Sequence, residues 1–323
     1  MDPLGDLLDG VRARTAAFCR AVLEPPWALR IADEAPLALA TALRGHAWIV
    51  PDGGTPTLLN PGDVAIVQGP DPYTVADHPG TSATLTVRPG NQLITNDGTD
   101  VTAEARLTSD TSTLGPRHDN GRPDSSTVLA SGTYQVSGDV SGRLLAALPT
   151  IVRVPREDVR SPITALLAEE IAKDEPGQQV VLDRLLDLAL IAALRAWFAR
   201  PGANPPGWYR AHGDPLVGPA LRLIHEDPAR SWTVAALAAA TGTSRAAFAR
   251  RFTTLVGQPP MAYLTRWRID LAADALRATD ATVATVARQV GYANAFALTV
   301  AFKRVRGVTP RQHRHDATIV GRP

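Results

Sequence analysis

The sequence lacks the features that define several classes of protein. Its 323 residues include one cysteine, Cys19, so no disulfide framework is possible within the chain, which fits a reducing compartment. It has no uninterrupted run of about 18 apolar residues and no basic-then-apolar signal pattern at its N-terminus. These absences predict a soluble, cytoplasmic protein that makes no contact with a membrane.

The net charge of +1 conceals a sharp division along the chain. Residues 217–323 contain 15 basic and 6 acidic side chains, which gives a net charge of +9. The preceding 216 residues contain 18 basic and 26 acidic side chains, which gives −8. This asymmetry indicates that the C-terminal part binds a polyanion. The alternative is a solvated basic face without a partner.

The N-terminal part changes in character along its length. Apolar spacing over residues 3–23 predicts an amphipathic helix. From Trp27 to about Val136, short β-prone runs alternate with glycine- and proline-containing turns, which predicts an all-β sandwich or barrel. The polar segment 95–126 is either a loop at the mouth of the sandwich or partly disordered.

Helical periodicity returns after residue 155. A first helix begins at Pro162, and a second covers residues 178–200. The apolar arc of the second helix is wider than one core contact requires. This helix is therefore either sandwiched between the β-rich part and a neighbour or part of a dimer seam. We expect a homodimer through residues 162–200.

Two helix pairs, each broken by a glycine, follow in the basic part of the chain. The first covers residues 233–257 and turns at Gly242, and the second covers residues 282–307 and turns at Gly291. Their four helices follow residues that commonly cap helix N-termini, which are Thr233, Ser244, Thr282 and Asn294. A helix pair with a tight turn is typical of helix–turn–helix motifs, whose second helix enters the DNA major groove.

Residues 261–278, between the two pairs, are predicted to form one linking helix. A helix of about 18 residues spans ~27 Å, and successive major grooves on one face of DNA recur every ~34 Å. One monomer is therefore expected to read two adjacent grooves, and a dimer to read two such sites.

The residues of both pairs resemble the AraC/XylS family of transcription regulators. The second pair and the residues after it contain Gly291-Tyr292, Phe302-Lys303-Arg304, Gly307, Thr309-Pro310 and Arg314. The first pair contains Trp232-Thr233-Val234, Leu237-Ala238, Gly242, Ser244, Phe248 and Arg251-Phe252. The resemblance implies sequence-specific binding to double-stranded promoter DNA, with RNA polymerase as a partner if the protein is an activator. The alternative is an amphipathic helix pair in an ordinary helical domain.

The β-rich part carries a second resemblance. The run Asn60-Pro61-Gly62-Asp63 before an apolar strand is similar to a turn of cupin jelly rolls. A subset of AraC-like regulators has such a domain at its N-terminus, where it senses a small molecule. The implied fold class is α+β multidomain, with an N-terminal β-sandwich or jelly roll, a helical segment and a C-terminal all-α double helix–turn–helix domain. The expected domains are residues 1–155 for sensing, 156–207 for linkage or dimerisation and 208–323 for DNA binding.

Metal binding is disfavoured by the histidine pattern. Catalytic cupins usually supply a His-x-His pair, a carboxylate and a later histidine, whereas His46, His78 and His118 stand alone here. We therefore expect no metal, no other cofactor and no enzymatic activity. The alternatives are a metal-dependent cupin enzyme fused to a DNA-binding tail and an architectural DNA protein that senses nothing.

Helix periodicity identifies candidate DNA contacts in the first recognition helix. With Phe248 and Phe252 facing the core, the candidates are Arg245, Ala246, Ala249, Arg250 and Arg251. The resemblance places Ala246, Ala249 and Arg250 against bases. Because arginine pairs bidentately with guanine, Arg250 is the first candidate for base readout, and Arg245 and Arg251 are expected at phosphates. Solvated helix arginines are the alternative.

The second recognition helix departs from the family pattern. Polar or basic residues are common at the positions that match Phe296 and Val300, which are apolar here. These two side chains either contact thymine methyl groups or pack against the linking helix. Thr299 is the remaining polar candidate for base readout. The expected phosphate contacts are Asn294, Lys303 and Arg304.

The candidate effector-binding residues lie in the β-rich part. Trp27, Trp48 and Tyr73 are either the lining of an amphipathic pocket or ordinary core residues. His46 and His78 are further candidates for contacts with the effector.

Overall fold

The computed structural model describes residues 11–12, 19–102, 126–136, 138–159, 161–171, 173, 175–203 and 205–320. These residues group into two compact units. The β unit takes in the described residues between 12 and 135 and between 148 and 203. The helical unit takes in Val11 and the described residues between 136 and 147 and between 204 and 320. The domain boundaries predicted at residues 155 and 207 stay predictions. Along the described ranges, no helix is both long enough and apolar enough to cross a membrane.

The described residues form two six-stranded sheets. The first contains β1 (Val11–Arg12), β2 (Cys19–Leu23), β4 (Leu37–Arg44), β7 (Val64–Gln68), β11 (Thr127–Val136) and β12 (Ile151–Val154). The second contains β3 (Ala28–Ile31), β5 (Ala47–Pro51), β6 (Thr57–Leu59), β8 (Tyr73–Ala76), β9 (Leu85–Arg88) and β10 (Gln92–Thr95). The first sheet runs β1-β11-β4-β7-β12, with β2 also on β11, and the second runs β10-β9-β3-β8-β5-β6. In the second sheet β3 pairs in parallel with β9 and antiparallel with β8.

The two sheets share one apolar core. Alternate residues of each strand point to the same face, so β4 contributes small side chains such as Ala40 and Ala42 to the core, while the opposite sheet contributes Leu29, Ile49 and Val75. The intervening β4 residues Leu37, Leu39 and Thr41 are also fully buried. The first sheet is therefore covered on both faces, and the predicted β-sandwich is confirmed.

Two helices, α2 (Ile163–Ile171) and α3 (Gln178–Ala199), pack against the first sheet. The hydroxyl of Tyr134 in β11 donates a hydrogen bond to the carbonyl of Leu186 at 2.8 Å, which anchors α3. One face of α3 is buried, while Val180, Val181 and Leu188 on the same helix are exposed. The wide apolar arc therefore has a sheet-facing side and a side that no described residue covers.

The predicted cupin-like turn is held by a buried carboxylate. Asp63 accepts hydrogen bonds from the backbone amides of Asn60 and Arg156, both at 3.0 Å. It also accepts two from the guanidinium of Arg153 in β12, at 2.9 and 2.7 Å. Gly62 adopts a positive φ of 86°, which favours glycine. The turn before β7 therefore serves as a structural link to β12.

The prediction of a helix over residues 3–23 is wrong at its C-terminal end. Cys19–Leu23 forms β2, which pairs antiparallel with Thr127–Ser131 of β11. Pairing with a neighbouring strand overrides a local apolar spacing that also fits a helix, because tertiary contacts decide between the two. The remainder of that prediction, and residues 103–125 of the polar segment, lie outside the described residues.

The helical unit begins, in chain order, with α1 (Gly138–Leu145). Its remaining helices are α4 (Gly207–His212), α5 (Val217–Glu226), α6 (Val234–Ala240), α7 (Arg245–Val256), α8 (Pro260–Ala278), α9 (Val283–Gln289), α10 (Ala295–Arg306) and α11 (Pro310–Val320). The predicted linking helix is α8, and the two predicted helix pairs are α6–α7 and α9–α10. A run of helices therefore follows the β-sandwich, and the predicted fold class is confirmed.

Candidate nucleic-acid interface

The first helix–turn–helix motif is built from α6 and α7. The hydroxyls of Thr233 and Ser244 accept hydrogen bonds from backbone amides in the first turn of each helix, at 3.0 and 3.3 Å. Gly257 ends α7 with a positive φ of 84°. Phe248 and Phe252 are fully buried on the inner face of α7. The predicted caps of α6 and α7 and the predicted buried face of α7 are confirmed.

The outer face of α7 presents candidate DNA contacts. Arg245, Ala246 and Arg250 are exposed, and Ala249 is half-buried. Arg251 is exposed but engaged, since its Nε donates to the Asp214 carboxylate at 2.8 Å. This bond raises the pKa of Arg251 and lowers that of Asp214. The sequence predicted that Arg251 contacts a phosphate. Such a contact would have to compete with this ion pair.

The second helix–turn–helix motif is built from α9 and α10. Thr282 and Asn294 cap these helices by accepting hydrogen bonds from the amides of Thr285 and Ala297, at 3.2 and 2.9 Å. Gly307 ends α10 with a positive φ of 78°. The inner face of α10 packs against α8 through buried apolar residues, which are Leu298, Ala301 and Phe302. This motif also forms with the predicted caps.

The outer face of α10 is apolar at its N-terminal end. Phe296 is 77% exposed and Val300 is 54% exposed. Of the two alternatives left open by the sequence, packing against the linking helix is therefore excluded. Thr299 is half-buried and its hydroxyl donates to the carbonyl of Ala295 at 2.7 Å. The exposed candidates for phosphate contacts are Asn294, Lys303 and Arg304.

Helix α8 joins the two motifs. At 19 residues it spans about 28 Å, and it packs against both recognition helices. Tyr263 in its first half meets Phe252 of α7 edge-on, with ring centroids 5.8 Å apart. Ile269 and Leu276 in its second half belong to the apolar core shared with α9 and α10. The helix therefore fixes the separation of the two motifs, as predicted.

A second contact holds the motifs together at the turn of α9–α10. Gly291 has a positive φ of 83°, and a Cβ there would lie 2.5 Å from the carbonyl oxygen of Ala229, in the loop before α6. Arg268 of α8 donates hydrogen bonds to the carbonyls of Pro228 and Arg230, at 2.7 and 2.8 Å. Burial lowers the pKa of Arg268. Only glycine permits this close approach between the motifs.

Sequence reasoning missed the role of α1. Although α1 lies between β11 and β12 in the sequence, it packs on α8. Its Arg143 reaches the buried carboxylate of Asp270 on α8 at 3.5 Å, and Arg306 of α10 reaches the same carboxylate at 2.9 Å. Asp274 accepts from the backbone amide of Val140 in the first turn of α1 at 3.1 Å. The sequence of this eight-residue helix gave no signal of the contact, because the contact joins residues more than 120 positions apart.

Asp270 is the centre of this ion-pair network. Burial raises its pKa, and the neighbouring guanidinium groups oppose that effect. The guanidinium of Arg143 also lies over the ring of Tyr263, 5.4 Å from its centroid. One carboxylate of the linking helix therefore connects α1 with the C-terminal turn of the second recognition helix.

The candidate effector-binding residues separate into two groups. Trp27 is buried in the apolar core of the β-sandwich, and Tyr73 is packed against the same core, where burial raises its pKa. Trp48 lies on the opposite face of β5 from the core residues Ala47 and Ile49. The two histidine candidates, His46 and His78, are exposed. The structure thus brings Trp27 and Tyr73 to one core and leaves the other three outside it.

Metal-ligating side chains are dispersed through the described ranges. Among the residues that the structure describes, no group of three or more His, Cys, Asp or Glu side chains is placed to hold a metal ion. His78 is engaged locally, because its Nδ1 accepts a hydrogen bond from the amide of Gly80 at 3.1 Å. His118 lies outside the described residues.

Comparison with known proteins gives matches over both units. Residues 2–199 match the Cupin family, and residues 237–316 match the Helix-turn-helix domain family. An AraC-like transcription regulator of Streptomyces lividans is 34% identical, over 99% of this chain and 100% of the relative. One from Streptomyces antibioticus is 33% identical, over 97% of this chain and 98% of the relative. The transcriptional regulator AlkR of Acinetobacter baylyi is 24% identical, over 98% and 100% of the two chains.

A solved structure is also similar to the helical part. The DNA-binding domain of the transcriptional factor AdpA, in complex with a target DNA, is 30% identical, with a TM-score of 0.33. The match covers 34% of this chain and 97% of that chain.

Proposed function

Because this chain belongs to the AraC-like transcription regulators and has a cupin domain at its N-terminus, we propose that a small molecule bound in the β unit modulates its binding to promoter DNA. The family establishes the coarser function, a DNA-binding transcriptional regulator with helix–turn–helix motifs. The proposal adds the effector, the side chains that contact DNA and the route between the two.

The observation that supports modulation is the placement of α1. This helix is covalently joined to β11 and β12 of the β unit, while its contacts are with α8 in the helical unit. Its Arg143 shares the Asp270 carboxylate with Arg306 at the end of the second recognition helix. A ligand that displaces β11 or β12 would therefore act on the helix that spaces the two DNA-reading motifs. Modulation requires that the effector binds the two arrangements with different affinity.

We assign base readout mainly to α7. Arg250 is exposed on its outer face beside Ala246 and Ala249, whose small side chains permit close approach to base edges. Arg245 at the exposed N-terminal end of α7 is assigned to a phosphate. Lys303 and Arg304, both exposed at the C-terminal end of α10, are assigned to phosphates of the second groove.

The effector is assigned to the interior of the β-sandwich. Trp27 and Tyr73 meet there with an opposing sheet whose inward residues Ala38, Ala40 and Ala42 are small. Small side chains on one wall and aromatic ones on the other favour an apolar ligand. This assignment gives no effector contact to the exposed His46 and His78 or to the outward-facing Trp48.

A homodimer through α2 and α3 is part of the proposal. The outer sides of these helices expose four large apolar residues, which are Leu166, Val180, Val181 and Leu188. An exposed apolar strip on otherwise packed helices is typical of a protein interface. Two copies joined there would present four helix–turn–helix motifs to one promoter. A contact with RNA polymerase stays a prediction.

The alternative function, a metal-dependent cupin enzyme with a DNA-binding tail, is less well supported. The relatives that match the whole chain are named as transcription regulators. In the described part of the chain the histidines are dispersed rather than gathered at one site. A metal analysis of protein purified from metal-replete cells tests this alternative, which requires a stoichiometric metal.

The readout assignment is tested by titrating the full-length protein into a labelled duplex from the region upstream of its own coding sequence. Binding is followed by fluorescence anisotropy, with a scrambled duplex as competitor. Arg250→Ala is expected to lower affinity for the specific duplex by about 5- to 150-fold, because a bidentate contact with a base contributes ~1–3 kcal/mol. It is expected to lower affinity for the scrambled duplex far less.

Arg245→Ala is the matched control for this experiment. As a phosphate contact, it is expected to weaken binding to both duplexes alike and to reduce the salt slope by about one. The proposed readout would be refuted if the wild-type protein bound the two duplexes equally well. It would also be refuted if the Arg250→Ala variant kept the wild-type preference for the specific duplex over the scrambled one.

A further inference from the structure

The second recognition helix has an exposed apolar strip where DNA-reading side chains are expected. Phe296 lies in the first turn of α10 and is 77% exposed, and Val300, one turn later, is 54% exposed. Residues four apart lie on the same side of a helix, so the two side chains form a continuous strip. A Phe with this exposure is unusual for a folded protein, in which large apolar side chains are mostly buried.

The strip carries no hydrogen-bonding group. The neighbouring polar side chains of α10 are engaged within the helix, since Thr299 donates to the carbonyl of Ala295 and Asn294 caps the N-terminus. Ala295 and Ala297 complete the first turn with methyl groups. The N-terminal half of α10 therefore presents methyl and aromatic groups to whatever it contacts.

Only one feature of the major groove is complementary to such a surface. Guanine, cytosine and adenine present hydrogen-bond donors and acceptors there, whereas thymine also presents its C5-methyl group. We propose that Phe296 and Val300 recognise thymine by apolar contact with C5-methyl groups, so that α10 selects T-containing steps in its groove. This proposal rests on the proposed function, because it assumes that α10 enters the major groove.

The surroundings of the strip favour DNA over a protein partner. Lys303 and Arg304 are exposed in the last turns of the same helix, and the chain from residue 217 onward has a net charge of +9. An apolar strip bordered by cations fits a groove whose walls are phosphates. A protein-docking strip is instead an outcome that the experiment below detects.

The two recognition helices would then read different chemistry. Helix α7 offers the exposed guanidinium of Arg250, which suits guanine, and α10 offers Phe296 and Val300, which suit thymine. Because α8 fixes the separation of the two helices, the site is expected to contain a G·C-dependent element and a T-dependent element about one helical turn apart.

The experiment changes the DNA rather than the protein. Full-length protein selects its preferred duplex from a random library, and each thymine of that duplex is then replaced in turn by deoxyuridine, which removes only the C5-methyl group. We expect about fourfold weaker binding at one or two thymines of one groove, the effect of one buried methyl-sized group. In Phe296→Ala protein the thymine-to-uracil affinity ratio at those positions is expected to fall to about one.

Val305→Ala is the matched control variant. Val305 is an exposed valine of α10 that lies away from the strip, so this variant should keep the wild-type thymine-to-uracil ratio. Because Phe296 is exposed, its truncation is expected to leave the melting temperature unchanged, and a circular dichroism melt verifies this.

The outcomes separate this inference from the proposed function. If no duplex is enriched from the library, the proposed function itself fails. If a duplex is enriched and depends on Arg250 but binds equally well with uracil at every thymine, the thymine inference is overturned and the proposed function stands. Loss of self-association by Phe296→Ala, with DNA binding unchanged, also overturns it.

Discussion

At the scale of single residues, Asp214 links the start of α5 to α7, the first recognition helix. Its carboxylate accepts hydrogen bonds from the backbone amides of Leu216 and Val217, at 3.0 and 2.9 Å, and from the guanidinium of Arg251. The bond with Arg251 is the main cause of its lowered pKa, and the two amides act in the same direction. The ionised carboxylate is therefore the form that stabilises the folded state.

Replacing Asp214 by asparagine is expected to destabilise the protein in a pH-dependent way. Asparagine keeps an acceptor for the amides but loses the charge, so the free energy of unfolding should fall by about 1 kcal/mol at pH 7. Because the folded pKa lies below the unfolded value of about 3.9, the contribution is fully present above that pH. It is lost as the pH falls through the folded pKa, so the two proteins should converge in acid.

The measurement is urea unfolding of both proteins followed by tryptophan fluorescence at several pH values. Asp280→Asn, at an exposed position before α9, removes one negative charge of the same unit and serves as the control. A difference between wild type and Asp214→Asn that stays constant down to the acid limit would refute the role assigned to the carboxylate.

At the scale of secondary-structure elements, α1 is attached to α8 by two acidic residues. Asp270 binds Arg143, and Asp274 accepts from the first turn of α1. Gly138 begins α1, and a Cβ at this position would lie 2.6 Å from the Asp274 carboxylate. Helix α1 also buries the apolar side chains of Val140 and Leu144, so the attachment combines close polar contacts with apolar burial.

Arg143→Ala is expected to loosen α1 and to uncouple DNA binding from the effector. Asp270 keeps Arg306 as a partner, so the cost to the free energy of unfolding should be modest, about 1–2 kcal/mol. Hydrogen–deuterium exchange of peptides covering residues 138–145 should become faster. A compound found by thermal-shift screening that changes the DNA affinity of the wild type should then change it much less in the variant.

Arg277→Ala provides the comparison for this prediction. Its partner Asp274 lies three residues earlier on the same helix, at 3.6 Å, in a partly exposed pair. Such pairs contribute about 0–1 kcal/mol, so this variant should keep both the slow exchange and the response to the compound. A response to the compound that survives in Arg143→Ala would show that the signal takes another route.

At the scale of the whole molecule, the chain separates its charges and its exposed apolar residues. The positive charge is concentrated in the part that carries the recognition helices, and one set of exposed apolar residues lies on α2 and α3, far along the sequence from them. Charge of one sign attracts DNA over long range, while apolar strips determine contacts at short range. The proposed DNA-binding residues and the proposed dimer residues therefore lie on different segments of the chain.

The proposed dimer is tested with Leu188→Glu. Leu188 is 46% exposed on the outer side of α3, so a buried charge at this position of an interface would be strongly unfavourable. Sedimentation velocity is expected to show a dimer for the wild type and a monomer, or a dimer at least tenfold weaker, for the variant. Val305→Glu, an equivalent change in the helical unit, should sediment like the wild type.

The sequence by itself determined the local features of this protein. Four capping residues and the glycines at the ends of α7 and α10 were predicted and are confirmed, because a cap or a left-handed turn depends on only a few neighbouring residues. The buried face of each recognition helix also followed from helix periodicity, as Phe252 and Phe302 show. The β-sandwich followed from its strands and turns.

Tertiary structure decided the rest. Residues 19–23 form a strand because β11 pairs with them, a long-range contact that local spacing does not encode. The pair of Arg251 with Asp214 joins residues 37 positions apart, and α1 joins the helical unit although it is flanked by strands of the β unit. The sequence also left undecided whether Phe296 packs against α8, and only its exposure in the folded chain shows that it does not. Each of these depends on which distant segment fills the neighbouring space, and only the folded chain specifies that.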